Sequence, residues 1–226
     1  MILRFFDVCF ASLALIVLSP LFIPTIIILR LTGEGEIFFR QRRVGRCGEM
    51  FGLIKFATML KNSENMGTGT VTVKNDPRVL PMGTLLRKTK INELPQLLNI
   101  LFGHMSVIGP RPQDRRCFDA FPESMREVIT SVPPGLSGIG SIVFRDEEDL
   151  MDGADDPDAF YDRVIMPYKA ELEAWFVKNC GVLLYFQLIS LTVFAVLLPG
   201  RANAWAWFED LPPPPSKLAE PLGYPY

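Results

Sequence analysis

Apolar and polar positions alternate very unevenly along this 226-residue chain. From Phe5 to Leu29 the side chains are almost wholly apolar, with Asp7 the only charge among them. About 25 residues suffice for a straight helix to cross a bilayer core. Ser19-Pro20 lies near the middle of the run and Pro24 follows it. Neither proline can donate a backbone hydrogen bond, which predicts a bend there. A serine hydroxyl can take up a freed carbonyl, so the bend is tolerable in lipid. A signal peptide, a spanning anchor and a helix that enters and returns are three readings of such a segment. Arg4 precedes it, and Arg30, Arg40, Arg42, Arg43 and Arg46 follow it. Positive charge at both ends disfavours export and favours the cytoplasm for both, hence a re-entrant helix-hairpin over residues 1–33, kinked at Ser19 and Pro20.

The pattern then shortens. Residues 36–60 read as two short strands around a Gly45–Gly48 turn, and residues 62–84 as a long loop rich in Asn, Gly, Thr and Pro. Leu94, Leu97, Leu98 and Leu101 recur at helical spacing. Pro95 fits a first helical turn, which predicts a start near Asn92 and an end at Gly103. That start would place Asn92 and Glu93 where free amide groups point outward. A helix is expected over 117–131, stopped by Pro133-Pro134-Gly135. The glycine-rich stretch 135–141 suits close approach by a ligand. A longer helix should run from Pro157 or Phe160 to Lys178. The second apolar run, Gly181–Leu198, is marginal as a span and reads as an amphipathic helix at a membrane face. From Pro199 a proline-rich tail is either weakly structured or packed on the surface. The fold class is α+β, mainly helical. The expected division is a membrane hairpin at 1–33, a small cytoplasmic domain with interfacial helices at 34–198, and a tail at 199–226.

Composition narrows the chemistry. Net charge is −2, and the basic block Arg40–Arg46 beside an apolar segment fits anionic lipid better than nucleic acid, which is not an expected partner. Four scattered cysteines and a single histidine, His104, argue for free thiols in a reducing compartment and against zinc. What remains is an anion site. Glu93 at a helix start, Arg87 and Lys88 before it, Arg111 in Gly109-Pro110-Arg111-Pro112, and Arg145 suit a phosphate group. Magnesium commonly takes one or two carboxylates plus phosphate oxygens, and Glu93, Asp146 and Glu147 are its candidate ligands.

Several short motifs occur in a fixed order: Ser19-Pro20, Phe39-Arg40-Gln41-Arg42-Arg43-Val44-Gly45, Lys55-Phe56-x-Thr58-Met59, Asn75-Asp76-Pro77-Arg78-Val79, Leu86-Arg87-Lys88-Thr89, Glu93-Leu94-Pro95-Gln96-Leu97, Met105-Ser106-x-x-Gly109-Pro110-Arg111-Pro112 and Pro134-Gly135-x-Ser137-Gly138. Each is weak alone. Together, over roughly residues 1 to 195, the chain resembles the monotopic phosphoglycosyl transferases of the bacterial sugar transferase family. The resemblance implies transfer of a phospho-sugar from a UDP-sugar to a polyprenol phosphate, usually undecaprenyl phosphate, with release of UMP and assistance from Mg²⁺. The setting it implies is the cytoplasmic face of a bacterial inner membrane, in the first membrane step of glycoconjugate or exopolysaccharide assembly. Membrane lipids are further partners, and a homodimer is compatible.

In that family an Asp-Glu pair opens the helix and the Asp attacks the β-phosphate. Here Asn92 occupies the position of the usual nucleophile, and a neutral amide is a poor one. His104 stands where an acid is usual, Ala57 where a basic residue is usual, and the segment after Gly138 departs as well. Two readings follow. Glu93 serves as nucleophile or metal ligand with Asp146 or Glu147 supplying the missing carboxylate, or the chain is a non-catalytic relative that binds UDP-sugar or polyprenol phosphate as a scaffold.

Overall fold

The computed structural model describes residues 1–63, 66, 76–147, 149–151, 156–198 and 202–224. It is mainly helical with two two-stranded sheets, the α+β class expected. The chain forms two compact units. One comprises Met1–Asp7, Arg43–Phe51 and Gly103–Tyr226, the other Val8–Arg42 and Gly52–Phe102. The polypeptide therefore passes between them several times.

Helix α1 (Ile2–Leu31) runs unbroken through Ser19-Pro20 and Pro24. The Ser19 hydroxyl donates to the Ile16 carbonyl at 2.7 Å, the very group that Pro20 leaves without a donor. One turn further on, the Thr25 hydroxyl donates to the Leu21 carbonyl, also at 2.7 Å. Ile16, Val17, Leu21, Ile23 and Ile27 are exposed, so the helix keeps a broad apolar surface that its own unit leaves uncovered.

Within the second unit, Leu29 of α1 packs with Phe56 and Leu86. Phe56 belongs to strand β2 (Met50–Phe56), which pairs with β1 (Phe38–Val44). Buried Asn99 clamps β2 at both edges of its amide. Its oxygen accepts from Ile54 N–H and its nitrogen donates to the Gly52 carbonyl, both at 2.8 Å. Helix α2 (Pro81–Lys88) starts inside the segment expected to be loop, with Pro81 at the first helical position, where no amide donor is needed. Gly83 is required there, because a Cβ would run into the Thr58 carbonyl. Asn75 and its loop neighbours 67–74 lie outside the described residues.

The predicted helix start at Asn92 is corrected. Lys90 takes a left-handed conformation (φ 60°) and turns the chain into a 3-10 turn, Ile91–Glu93. Pro95 has no amide proton for the Ile91 carbonyl, so Leu94 N–H takes that carbonyl instead. Helix α3 therefore begins only at Gln96 and ends at Phe102, seven residues long, before Gly103 (φ +86°). Asn92 and Glu93 sit on the turn ahead of the helix.

In the first unit, β3 (Ser106–Ile108) and β4 (Gly135–Ser137) pair in parallel, Ser106 opposite Gly135 and Ile108 opposite Ser137. Their glycines correct a second expectation. Gly135 and Gly138 are small because the Gly109 backbone lies against them, where any Cβ would collide. The close approach serves the protein's own Gly-Pro-Arg-Pro turn. The helix expected over 117–131 is two: α4 (Arg115–Asp119) and α5 (Glu123–Thr130), separated at Pro122, which cannot continue a helical ladder.

Helix α6 (Ile139–Val143) follows β4. Then α7 (Pro157–Phe160) passes through a π turn, Tyr161–Ile165, into α8 (Met166–Asn179). Met166, Ala170 and Ala174 of α8 meet Ile129 of α5, Phe118 and Phe121 in the unit's main core. Helix α9 (Val182–Leu197) buries Leu184, Tyr185, Leu188 and Leu191 but exposes Leu183, Val193, Val196 and Leu197, so it is apolar on both faces. Asp7 is buried here with full compensation. Its Oδ1 accepts from the Ser106 hydroxyl, the Val107 N–H and the Tyr185 hydroxyl, each at 2.8 Å. The tail packs against its unit, carrying α10 (Ala204–Trp207) and α11 (Ser216–Ala219). Trp175 Nε1 donates to Asp210, and Tyr168 and Trp205 both donate to the Pro212 carbonyl.

Candidate functional site

The sequence-predicted residues fall into two groups, one in each unit. Arg87, Asn92 and Glu93 belong to the second unit, and Arg111, Arg145, Asp146 and Glu147 to the first.

In the second unit the 3-10 turn presents Glu93 with its side chain 29% exposed, 3.9 Å from the ammonium of Lys55 on β2. A pair at that distance is loose, and the carboxylate keeps acceptor capacity for another partner. Asn92 beside it is buried, and its Oδ1 lacks a hydrogen-bond donor. An unsatisfied buried amide oxygen is costly to a fold and marks a position not optimised for packing alone. Arg87, at the end of α2, is half-buried and directs Nη1 at the Met59 sulfur, 3.5 Å away. A thioether is a weak acceptor, so the guanidinium retains most of its capacity for an anion. Lys55 was quoted only as part of a motif. The strand alternation that brings it to Glu93 depends on a contact 38 positions apart, which no local pattern reveals.

In the first unit, the Gly109–Gln113 turn is held at several of its backbone groups. Gly109 N–H donates to Ser137, the Pro110 carbonyl accepts from Gly135, and the Gln113 carbonyl accepts from Val44. Arg111 N–H donates to Oε1 of Glu173 at 3.0 Å. The Arg111 side chain is exposed. Arg43 lies close enough for its charge to be felt there. Its guanidinium pairs with Asp114 at 3.3 Å, leaves Nε without an acceptor, and is pulled below the usual arginine range by burial first and by the Arg111 charge as well. The lipid-facing assignment of Arg40–Arg46 thus does not describe Arg43, although Arg40 and Arg42 are exposed.

Arg145 is exposed, and its Nη1 donates to the Ala195 carbonyl near the end of α9. Asp146 is exposed, whereas Glu147 is engaged by the ammonium of Lys169, which is 1% exposed. Among the described residues no three His, Cys, Asp or Glu side chains gather as a metal cluster. Lys169 and Glu173 were not foreseen as a site. Their signal was available in part: two opposite charges four residues apart on a helix that also carries Ala170, Leu172, Ala174, Trp175 and Phe176.

Comparison with known proteins identifies the family. A family model described as bacterial sugar transferase matches residues 1–199. The exopolysaccharide production protein ExoY of Sinorhizobium fredii is 37% identical over 158 residues, covering 64% of this chain and 70% of that protein. The UDP-N-acetylgalactosamine-undecaprenyl-phosphate N-acetylgalactosaminephosphotransferase of Aeromonas hydrophila is 33% identical over 196 residues, 86% of this chain but 43% of the relative. The UDP-glucose:undecaprenyl-phosphate glucose-1-phosphate transferase of Escherichia coli is 32% identical over 195 residues, 83% of this chain and 38% of the relative. The chain belongs to the bacterial sugar transferase family. It is a membrane-associated phosphoglycosyl transferase.

Proposed function

We propose that the chain transfers a sugar phosphate from a UDP-sugar to undecaprenyl phosphate, or a similar polyprenol phosphate, and releases UMP. The reaction would take place at the cytoplasmic face of a bacterial inner membrane and open the assembly of an exopolysaccharide or related glycan. The relatives named for such reactions support the substrate classes. The observation that carries the reading for this chain is the position of Glu93: a partly exposed carboxylate, loosely paired with Lys55, following Arg87 on the chain.

A carboxylate oxygen of Glu93 attacks the β-phosphorus of the UDP-sugar. The bond from that phosphorus to the bridging oxygen breaks, UMP departs with the electron pair, and an acyl phosphate carrying the sugar remains. A phosphate oxygen of the polyprenol phosphate then attacks the same phosphorus and returns the carboxylate. Such covalent catalysis divides one difficult displacement into two. Lys55 orients the carboxylate, and Arg87 supplies charge to phosphate oxygens. Arg111 and Arg145, in the other unit, keep the phosphate-contact role expected from the sequence.

Magnesium fits this chain in one form only, shared with substrate. Glu93 and the unpartnered Asn92 oxygen are hard donors, and Mg²⁺ takes few protein ligands alongside phosphate oxygens. When bound it would neutralise diphosphate charge. Asp146 is a more remote candidate along the chain, and Glu147 is already held by Lys169. The exposed apolar surface of α1, its Ser19 hydrogen bond and positive residues at both ends support a re-entrant seat with both ends cytoplasmic.

The test is intact-mass spectrometry of the full chain in lipid nanodiscs with a panel of UDP-sugars and Mg²⁺. A phosphosugar adduct mapped to Glu93, discharged by undecaprenyl phosphate with formation of UMP, is the expected result. UDP-sugar binding without adduct or UMP would favour the scaffold reading, which the neutral Asn92 motivates.

A further inference from the structure

The Gly-Pro-Arg-Pro turn is pinned by the backbone at Gly109, Pro110 and Gln113, but at Arg111 the partner is a side chain. That side chain is a carboxyl buried in the protein. Glu173 is 1% exposed, its Oε1 accepts from Arg111 N–H at 3.0 Å, and its Oε2 has no donor. It reaches this position across α6, where Gly140 leaves room that any Cβ would close. Lys169 lies one turn earlier on α8, its ammonium engaged by Glu147 and set 5.0 Å from the Phe144 ring centre and 5.8 Å from that of Tyr161. The fold thus spends a buried acid, a buried lysine and a glycine beside one exposed arginine. A buried polar group held this way specifies a conformation more than it adds stability.

We propose that Glu173 is the positioning residue for Arg111: its carboxyl, seated in the space left by Gly140, fixes the Arg111 peptide and so presents the guanidinium to a substrate phosphate. The inference rests on the reading of Arg111 as a phosphate contact. Burial pushes the Glu173 carboxyl up to about 7, opposed in part by the Arg111 N–H and by the charges of Lys169 and Arg111. Those two cations are the charged groups acting on it, and Glu147 in turn acts on Lys169. The neutral carboxyl suffices as acceptor. As pH rises through 7 the carboxylate becomes the stronger acceptor for that N–H, while burial of the new charge costs the fold as a whole.

The experiment has two readouts on the full chain in nanodiscs: amide hydrogen exchange across residues 106–113, and the affinity for UDP. Glu173→Gln keeps an acceptor for the Arg111 amide and should retain both wild-type protection and wild-type affinity. Glu173→Ala removes the acceptor, and should lose protection at Arg111 and weaken UDP about tenfold, the scale of one lost charge-orienting hydrogen bond. Should the alanine variant fail to fold, Glu173→Leu, which fills the space and offers no acceptor, decides by the same two readouts. An Arg111 amide as protected in the variant that lacks the acceptor as in wild type would overturn the proposal. If Glu173→Ala frees the amide but UDP binds no form of the protein, the positioning role stands and the phosphate reading of Arg111 is what fails.

Discussion

Two Lys–Glu pairs in this chain are made of the same side chains and do opposite things. Lys55 and Glu93 stand 3.9 Å apart with side chains 22% and 29% exposed. Lys169 is 1% exposed and holds Glu147, itself 26% exposed, in direct contact. The first pair is loose enough for its carboxylate to meet a substrate. The second is consumed in holding a buried ammonium. Both glutamates were candidate metal ligands in the sequence, Glu93 with a catalytic role besides, and it is the burial of the partner lysine that separates them. A carboxylate next to a hydrated lysine is available for chemistry, whereas one facing a desolvated lysine is required by the fold.

The sharpest way to break this comparison is to neutralise the two acids in turn. Glu93→Gln should lower turnover, read as UMP release, by roughly a thousandfold or more, because a carboxamide cannot serve as the nucleophile. Its unfolding midpoint should hardly move, since a partly exposed pair is worth at most about 1 kcal/mol. Survival of adduct formation in this variant would remove Glu93 from the mechanism.

The buried pair should respond on stability, and asymmetrically. Glu147→Gln strands the Lys169 ammonium in the interior and should cost about 3 kcal/mol or more in denaturant unfolding. Lys169→Met should cost less, since Glu147 can turn to solvent and a methionine fills similar volume. The reverse order would show that packing around Lys169, not its charge, is what Glu147 protects.

Next in size is a pH effect from Glu173. Its folded value of about 7 lies above the ordinary 4.5, so the folded state holds a proton that the unfolded chain releases. Its contribution to stability is therefore complete below about pH 4.5 and is lost as pH rises through 7, about 3 kcal/mol over that window. Glu173→Gln should flatten this slope, and the difference between the two proteins isolates Glu173 from every other titrating group. A slope unchanged by the substitution would place the raised value elsewhere.

Much of this was legible in the residues. The apolar helix, the Ser19 hydroxyl answering Pro20, the hairpin around Gly45, the helices ending at Asn179 and Leu197 and the Arg111 turn all follow from local rules. The failures share a cause. The parallel pairing of Ser106–Ile108 with Gly135–Ser137 joins segments too short to show a period. The glycines around 135–138 looked like a ligand cradle because sequence cannot say whose backbone approaches them. Pro95 was read as entering a helix at its first turn, when the loss of one donor to Ile91 was enough to split the segment. The charged groups around Glu173, namely Arg111, Glu147 and Lys169, come from three places along the chain, and their meaning is burial, which the charge spacing on one helix does not disclose.

The smallest expected effect tests the loose pair from its other side. Lys55→Met removes the cation beside Glu93 but leaves a side chain of similar length at a position only 22% exposed. Stability should change by less than about 1 kcal/mol, because little Coulomb energy survives at that separation in partly hydrated surroundings. Turnover should fall far less than in Glu93→Gln, since Lys55 orients the carboxylate and forms no bond to phosphorus. The loss should fall on the rate of adduct formation, with UDP-sugar affinity unchanged, because a residue that orients the nucleophile adds nothing to ground-state binding. If affinity falls instead, Lys55 meets the substrate rather than Glu93, and the contrast between the two lysines becomes one of reach instead of hydration.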